Sequence, residues 1–259
     1  MKRFFSLAVA ATVATLAFFA SNASLVKGAD DADKPAYDAL AESKADDAKY
    51  EWTYLFDGKT LKNWVDLEDA GAEKPVVEDG AIVLGMGASS TSIKFDEEAA
   101  GFKLPRENYE LEIVARREMG TDFFAATTFP IGDTCVTFIN GGWGGAVLGI
   151  SSVDDMDASQ NSTSSYYNFK NDRWYRFRIQ VTKRTLRVWV DGEKEIDYVV
   201  EGRRLGTRFE VSRCEPLGLT SWISKGVIKV VRFRSLTDSE KKEMDERADE
   251  QAKFFQIGN

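Results

Sequence analysis

Apolar and polar residues alternate in short runs along most of the chain, and turn-forming residues separate the runs. In Asn108–Glu118 (NYELEIVARRE), Tyr109, Leu111, Ile113 and Ala115 fall on one side of a two-residue repeat, with Glu110, Glu112 and Arg116 on the other. Successive side chains of a strand point to opposite faces, so the repeat predicts a strand with one buried and one polar face. Trp174–Val181 (WYRFRIQV) repeats the device, setting Tyr175, Phe177, Ile179 and Val181 against Arg176, Arg178 and Gln180. In Thr185–Glu193 (TLRVWVDGE), Leu186, Val188 and Val190 alternate with Arg187 and Trp189 before an Asp191-Gly192 turn, a strong hairpin signal. With Asp133–Asn140 and Val227–Leu236 the chain offers at least eight candidate strands. No convincing helix separates them, so an all-β sandwich or barrel is expected and a parallel α/β fold is disfavoured.

The ends read differently. Lys2 and Arg3, an apolar run from Phe4 to Ala20 and the small residues Ser21-Asn22-Ala23 have the form of a cleaved secretory signal over 1–23. The expected product is secreted or periplasmic, with no stable membrane insertion after cleavage. Residues 24–49 are rich in Ala, Asp, Lys and Glu and read as a flexible leader, because so few apolar groups cannot offset the entropy of ordering. The sandwich is expected over 50–236. Thr237 three residues before Glu240 forms a capping box that opens a charged C-terminal helix and tail over 237–259.

Charge and composition narrow the chemistry. Without Lys2 and Arg3 the chain carries 32 basic and 42 acidic residues, a net charge of −10, so nucleic acid is not an expected partner. There is no histidine, which excludes Ser-His-Asp and Cys-His catalysis and His-ligated zinc. An acid or base must then be Asp, Glu, Lys, Tyr or a metal-bound water, and no cofactor is required unless it is a hard, oxygen-ligated divalent cation such as calcium. Cys135 and Cys214 would share an oxidising compartment after export; a disulfide and two buried free thiols both remain open.

Two regions carry candidate chemistry. The segment Gly141–Thr163 (GGWGGAVLGISSVDDMDASQNST) packs four glycines around Trp143 and follows them with Asp154, Asp155, Asp157 and Asn161. Glycine admits positive φ and close backbone approach at a cost in stability, so the cluster serves either a bulged hairpin or a ligand. The three acids suit a weak calcium loop better than a glycosidase pair, since a calcium site needs several oxygens within a short stretch. Asn161-Ser162-Thr163 is formally a glycosylation acceptor; otherwise Asn161 is a candidate ligand amide. On the strands, Glu112, Arg116, Arg178, Arg187 and Trp189 share a polar face. Such a face is either a solvated lattice of salt bridges or a sugar surface on which Trp189 stacks.

Tyr54–Trp64 (YLFDGKTLKNW) resembles the opening motif of the 3-keto-disaccharide hydrolase domain family. Val76–Val83 (VVEDGAIV), Asn171–Val181 (NDRWYRFRIQV) and Pro216–Leu236 (PLGLTSWISKGVIKVVRFRSL) resemble later segments of the same family, so the resemblance runs from Tyr54 to about Leu236. It implies a concanavalin A-like jelly roll of two antiparallel sheets, export, and hydrolysis by elimination and hydration of glycosides oxidised at C3. Within it Glu112 occupies a matching position and is the candidate base, with Arg116 or a bound cation as the electrophilic partner and Asp154 a further catalytic candidate. Trp143, Trp189, Trp222, Asp155, Asp157 and Asn161 are the candidate carbohydrate-binding residues. The chain departs from the family at Phe123–Thr128, at Ala146–Ser151, and at Thr220, Trp222 and Lys225-Gly226. A non-catalytic, lectin-like carbohydrate-binding module is therefore the alternative expectation, and a structural surface domain a third.

Overall fold

The structure is a computed structural model that describes residues 37–257, so the expected signal segment 1–23 and residues 24–36 of the leader lie outside the described residues. Fifteen strands among the described residues form two antiparallel sheets. One contains β1 (Thr53–Tyr54), β3 (Val76–Glu78), β4 (Ala81–Leu84), β6 (Tyr109–Gly120), β11 (Tyr175–Val181), β12 (Thr185–Val190), β13 (Glu193–Val199) and β15 (Ser224–Ser235). Its order is β13-β12-β11-β6-β15-β4-β3, with β1 also on β15. The other contains β2 (Trp64–Asp66), β5 (Ser90–Phe95), β7 (Ala126–Ile131), β8 (Thr134–Gly141), β9 (Val147–Ser151), β10 (Ser165–Tyr166) and β14 (Gly218–Trp222), in the order β10-β9-β8-β7-β14-β5-β2. This is the expected all-β jelly-roll sandwich.

The apolar side of each two-residue repeat faces the space between the sheets. Leu111, Ile113, Phe177, Ile179 and Val188 from one sheet meet Ile93, Phe129, Phe138, Ile150 and Leu219 from the other in a single core. Asp191 (φ 52°) and Gly192 (φ 83°) both adopt the left-handed conformation of a tight hairpin turn between β12 and β13. The YLFDGKTLKNW segment is a structural latch. Leu55, Phe56 and Trp64 are buried, the Trp64 indole donates to the Leu55 carbonyl at 2.9 Å, and Asp57 accepts from the amides of Lys59 and Thr60.

The polar side of β6 is not solvated, which corrects the expectation of an exposed or sugar-binding face. Glu110 and Glu112 are completely buried. One Glu112 oxygen accepts from Ser43 Oγ at 2.5 Å and Arg232 Nε at 2.9 Å, and the other accepts from Arg176 Nε at 2.7 Å. Glu110 accepts from Arg178 at 2.5 Å, Gln180 at 2.7 Å and Arg234 at 2.6 Å. What covers this layer is the supposed leader. Residues Ala39–Ala45 form a helix capped by Asp38 and continue into a 3-10 turn at Asp46–Ala48. Asp46 bonds Arg176 and Asp47 bonds Arg232. Trp52 then lies over Arg232 at 4.1 Å and Tyr50 over Arg234 at 3.9 Å. Residues 37–49, part of a leader expected to be flexible because it lacks large apolar residues, are ordered instead by charge pairing and ring stacking.

The capping box is present. Thr237 Oγ1 accepts from the Glu240 amide at 3.2 Å, and Glu240 Oε2 accepts from the Thr237 amide at 2.8 Å, opening the helix Asp238–Ile257. Glu240 also accepts from Arg234 at 2.9 Å. Burial works to raise the Glu240 carboxyl, but Arg234 and Thr237 outweigh it and hold it at about 2.

Two outcomes follow from these contacts. Glu112→Gln leaves two buried guanidinium groups short of a counter-charge and is expected to cost roughly 3–5 kcal/mol in chemical denaturation. The folded pKa of Glu240 is depressed, so its contribution is complete above the unfolded value near 4.5 and is lost as pH falls toward 2. Glu240→Gln should therefore lower the thermal midpoint at pH 7 and leave it almost unchanged near pH 2, as read by circular dichroism melts.

Candidate functional site

The turn between β8 and β9 shapes a strongly irregular end of the seven-stranded sheet. Gly141, Trp143, Gly144 and Gly145 have φ of 87°, 49°, 87° and 113°, a left-handed run that only a glycine-rich segment sustains. Close approach adds to the requirement, because a Cβ on Gly145 would stand 2.5 Å from the Thr121 carbonyl oxygen and one on Gly142 2.7 Å from the Ile139 side chain. The backbone holds Trp143 47% exposed. Asp122 fastens it: Oδ2 accepts from the Gly144 amide at 3.0 Å and Oδ1 from the Phe123 amide at 2.8 Å. Below, Arg117 donates to the carbonyls of Asp122 and Phe169 at 3.1 and 2.8 Å. Burial pulls its pKa below the usual arginine value.

Trp143 borders a cleft of about 240 Å³ on the face of this sheet turned away from the core. Thr137 and Ile139 of β8 and Ser151 of β9 form its floor. Phe123 and Trp222, with rings 6.4 Å apart, join Trp143 and Asp122 at one end of the strands, where β7 and β9 begin and β8 and β14 finish. At the other end lies the segment 203–214, which crosses the sheet face. It is fastened to the end of β9 by the Ser152 amide to the Gly206 carbonyl at 2.6 Å, and Cys214 contacts Thr220 Oγ1 at 3.4 Å. This segment contributes Arg208, Glu210 and Val211 to the cleft.

Arg208 is the cationic group of the cleft. It donates to Glu210 Oε1 at 2.7 Å and to Asp157 Oδ2 at 3.0 Å. The hydrogen bond it donates to Glu210 leads the upward shift of the Arg208 pKa, and the same bond holds the Glu210 carboxyl below its usual range. Aromatic rings, a guanidinium and two carboxylates thus surround a cleft smaller than a typical ligand pocket of about 300 Å³ or more, which suits a ring-sized ligand. A larger groove of about 1020 Å³ runs along β2 and β5 near Leu67, Phe102 and Arg213. Two of its three acids are already occupied: Asp96 accepts from the amides of Glu98 and Ala99, and Glu97 from that of Leu104. The smaller cleft has the better chemistry.

The structure brings together only some of the residues expected from sequence. Trp143 and Trp222 line the cleft, and Asp157 reaches it through Arg208. Asp154 pairs with Arg203 at 3.1 Å and Asp155 with Arg204, so each of the three acids meets its own arginine. No cluster of three potential acid or cysteine ligands forms among the described residues. Carboxylates spent on separate arginines do not fit calcium, which needs several convergent oxygens, so the metal expectation is corrected. The same pairing removes Asp154 as a catalytic group. Asn161 points inward. Its amide nitrogen donates to the carbonyls of Ile150, Met156 and Asp157, and its oxygen accepts from Thr163, so it braces the loop and presents nothing to a ligand or a glycosyltransferase.

Glu112, Arg116 and Trp189 belong to the other sheet. Glu112 has no exposed oxygen and both oxygens hold arginines, a geometry that supports a scaffold part and not proton abstraction. Arg116 bonds Glu118 and stacks over Trp174 at 4.8 Å, while Trp189 lies against Arg178 at 5.6 Å. Cys135 and Cys214 are both buried and free. Burial pushes the Cys135 thiol up to about 11 and raises that of Cys214, which suits neither for nucleophilic work. Sequence reading missed Asp122, Phe123 and Arg208, and could not separate Glu210 from an acid on a solvated edge. The available signals were an acid two residues past Gly120 at the end of a long strand, and an Arg-Phe-Glu triplet inside a segment without alternation.

Residues 51–237 match the 3-keto-alpha-glucoside-1,2-lyase-like domain family. Similar solved structures include a glycosyl hydrolase, named as putative, from Parabacteroides distasonis, 16% identical over 75% of this chain and 97% of that one, with a TM-score of 0.46. The transglycosylase Crh5 is 13% identical over 72% of this chain and 84% of its own, with a TM-score of 0.49. The carbohydrate-binding module CBM66 of Bacillus subtilis is 10% identical over 67% and 96%, with a TM-score of 0.42. No curated protein matches the sequence. No helix among the described residues is long and apolar enough to cross a membrane.

Gly145→Ala tests the architecture of the cleft. A side chain there meets the Thr121 carbonyl and must adopt a strained φ, so a loss of about 1–3 kcal/mol is expected. The displaced Trp143 should show a changed fluorescence maximum, whereas Gly132→Ala, with open space around its Cβ position, should leave the emission unchanged.

Proposed function

Because the chain belongs to the 3-keto-alpha-glucoside-1,2-lyase-like domain family, we propose that it cleaves glycosides whose C3 hydroxyl has been oxidised to a ketone, at the cleft between Trp143, Trp222 and Arg208, and that it does so after export. The observation that supports this reading is the placement of Asp122 at one end of the cleft and Arg208 at the other. A C3 ketone acidifies the C2 hydrogen. Asp122 takes that proton while Arg208, kept charged and oriented by Glu210 and Asp157, stabilises the negative charge that develops on O3. The enolate then expels the C1 substituent with its bonding electrons, leaving a C1–C2 double bond and restoring the ketone. Addition of water across that bond completes net hydrolysis. The aromatic end stacks on the C–H face of the ring, and Thr137 and Ser151 offer hydroxyls from the floor.

A second reading keeps the same cleft as a carbohydrate-binding site without catalysis. It is favoured by one specific observation: both Asp122 oxygens already accept backbone amides, and Glu210 is engaged by Arg208. Incubation of the purified protein with a 3-keto-glucoside, with and without chelator, separates the two. Catalysis releases the aglycone in both conditions. Asp122→Asn is expected to lower that release on the order of 100-fold or more, the usual contribution of a positioned base. Full turnover in Asp122→Asn removes it as the base. Glycan binding without any release, abolished by Trp143→Ala, favours the binding module.

A further inference from the structure

Five arginines among the described residues are almost wholly buried. Four of them, Arg176, Arg187, Arg232 and Arg234, pair with carboxylates. The fifth, Arg117 near the end of β6, is bonded to neutral oxygens. Its Nε donates to Asn171 Oδ1 at 2.6 Å, its Nη1 to the Asp122 carbonyl at 3.1 Å and its Nη2 to the Phe169 carbonyl at 2.8 Å. Removing a guanidinium from water is costly, and neutral carbonyls offset less of that cost than a carboxylate does. A cation kept on such terms is explained by what its bonds connect.

They connect three segments. Asn171 Nδ2 donates to the Gly120 carbonyl at 3.3 Å and the Asp172 amide to the Arg117 carbonyl at 2.8 Å, so the loop between β10 and β11 is stitched to the end of β6. From the other side the glycine-rich turn comes in so closely that a Cβ on Gly141 or on Gly145 would stand 3.5 Å from Arg117 Nη1. Asp122 is the third. Its carbonyl accepts from Arg117 and, at 3.2 Å, from Ser224 Oγ, and its amide donates to the same Ser224 oxygen at 3.0 Å. Its carboxylate is aimed in turn by the Phe123 and Gly144 amides. The planar fork of a guanidinium reaches three acceptors in three directions, which a lysine ammonium on its flexible stem does not reproduce.

From this geometry we infer that Arg117 is a positioning residue for the reaction at the cleft: acting through the main chain of Asp122, it holds the carboxylate where the C2 proton is taken. The inference rests on the lyase reading of this cleft. Arg117 is not among the residues that line the cleft, so its contribution is the location of Asp122 and not a contact with the sugar. Displacing a reacting group by about 1 Å costs on the order of 100-fold in rate.

A double-substitution cycle tests the role, with kcat on a 3-keto-glucoside as the readout and circular dichroism as the check on folding. Arg117→Lys keeps the charge but breaks the fork, and is expected to lower kcat on the order of 100-fold. In an Asp122→Asn background the same change should lower it further by no more than about twofold, because effects exerted through one shared group are not additive. Arg187→Lys, at a buried ion pair in the eight-stranded sheet, should leave kcat at the wild-type value. Wild-type kcat in Arg117→Lys, or the full loss repeated in the Asp122→Asn background, overturns the positioning role and leaves the lyase reading standing. If Arg117→Lys does not fold, Ser224→Ala takes its place, since it removes the second clamp on the same main chain. It is expected to lower kcat about tenfold, again only with Asp122 intact, and an unchanged kcat there overturns the role. Full turnover in Asp122→Asn alone, or a wild-type protein inactive on the 3-keto-glucoside, removes the base assignment and the role of Arg117 with it.

Discussion

The arrangement rests on a buried layer of charge. Glu110 and Glu112, neighbours on the same face of β6, are fully enclosed, and the guanidinium groups of Arg176, Arg178, Arg232 and Arg234 converge on them from β11 and β15. Carboxylates removed from water cost several kcal/mol each, and the cost is recovered only when every lone pair has a partner. Here Ser43, Gln180, Asp46, Asp47 and Glu240 complete the network, and the rings of Tyr50 and Trp52 lie over the arginines. The segments that cover the sheet are thus part of the electrostatic solution. A chain lacking the helix at Ala39–Ala45 would expose a set of charges selected to be dry.

That layer also decides where a ligand can bind. With the region around Glu110 and Glu112 on the outer face of the eight-stranded sheet closed by the N-terminal segment and the C-terminal helix, the outer face of the other sheet offers an open surface near Trp143. The segment carrying Arg208 and Glu210 crosses it and confines the opening to the end near Trp143 and Trp222. The exposed pairs of Arg203, Arg204 and Arg208 with Asp154, Asp155 and Asp157 contribute little individually in water. Backbone hydrogen bonds between Ser152 and Gly206 and between Asp154 and Arg204 do more to fix the segment. The pairs of Arg208 with Asp157 and Glu210 aim its guanidinium.

The two-residue repeat made the strands and their inner faces legible: Leu111, Ile113, Phe177 and Val188 are where the pattern puts them. It could not say whether the opposite face was wet. Alternation identifies which residues share a side of a strand, and Glu112 with Arg176 looks the same in sequence as a salt bridge on an open surface. Whether 37–49 folds over that surface depends on pairings more than 60 residues apart, such as Ser43 with Glu112, which local propensity does not encode. The cleft was partly legible for the same reason. Trp143 announced itself through the glycines around it, but Asp122, Arg208 and Glu210 come from loops that only the register of β7, β8, β9 and β14 brings together.

The glycine-rich turn is best explained by what it holds. Four glycines flanking Trp143 in one turn sacrifice backbone entropy and contribute no apolar burial, and a hairpin between β8 and β9 could be closed by two residues at lower cost. The longer, left-handed turn accomplishes something a tight hairpin cannot. It presents a large aromatic side chain outside the core, pinned through one amide to the carboxylate of Asp122 and shielded from collapse by backbone approaches such as that of Gly145 to Thr121. A carboxylate that positions the aromatic wall and also faces the cleft couples the two halves of the site. Any change in the ionisation or position of Asp122 is felt by Trp143, so binding at the aromatic end and chemistry at C2 are not independent properties of this protein.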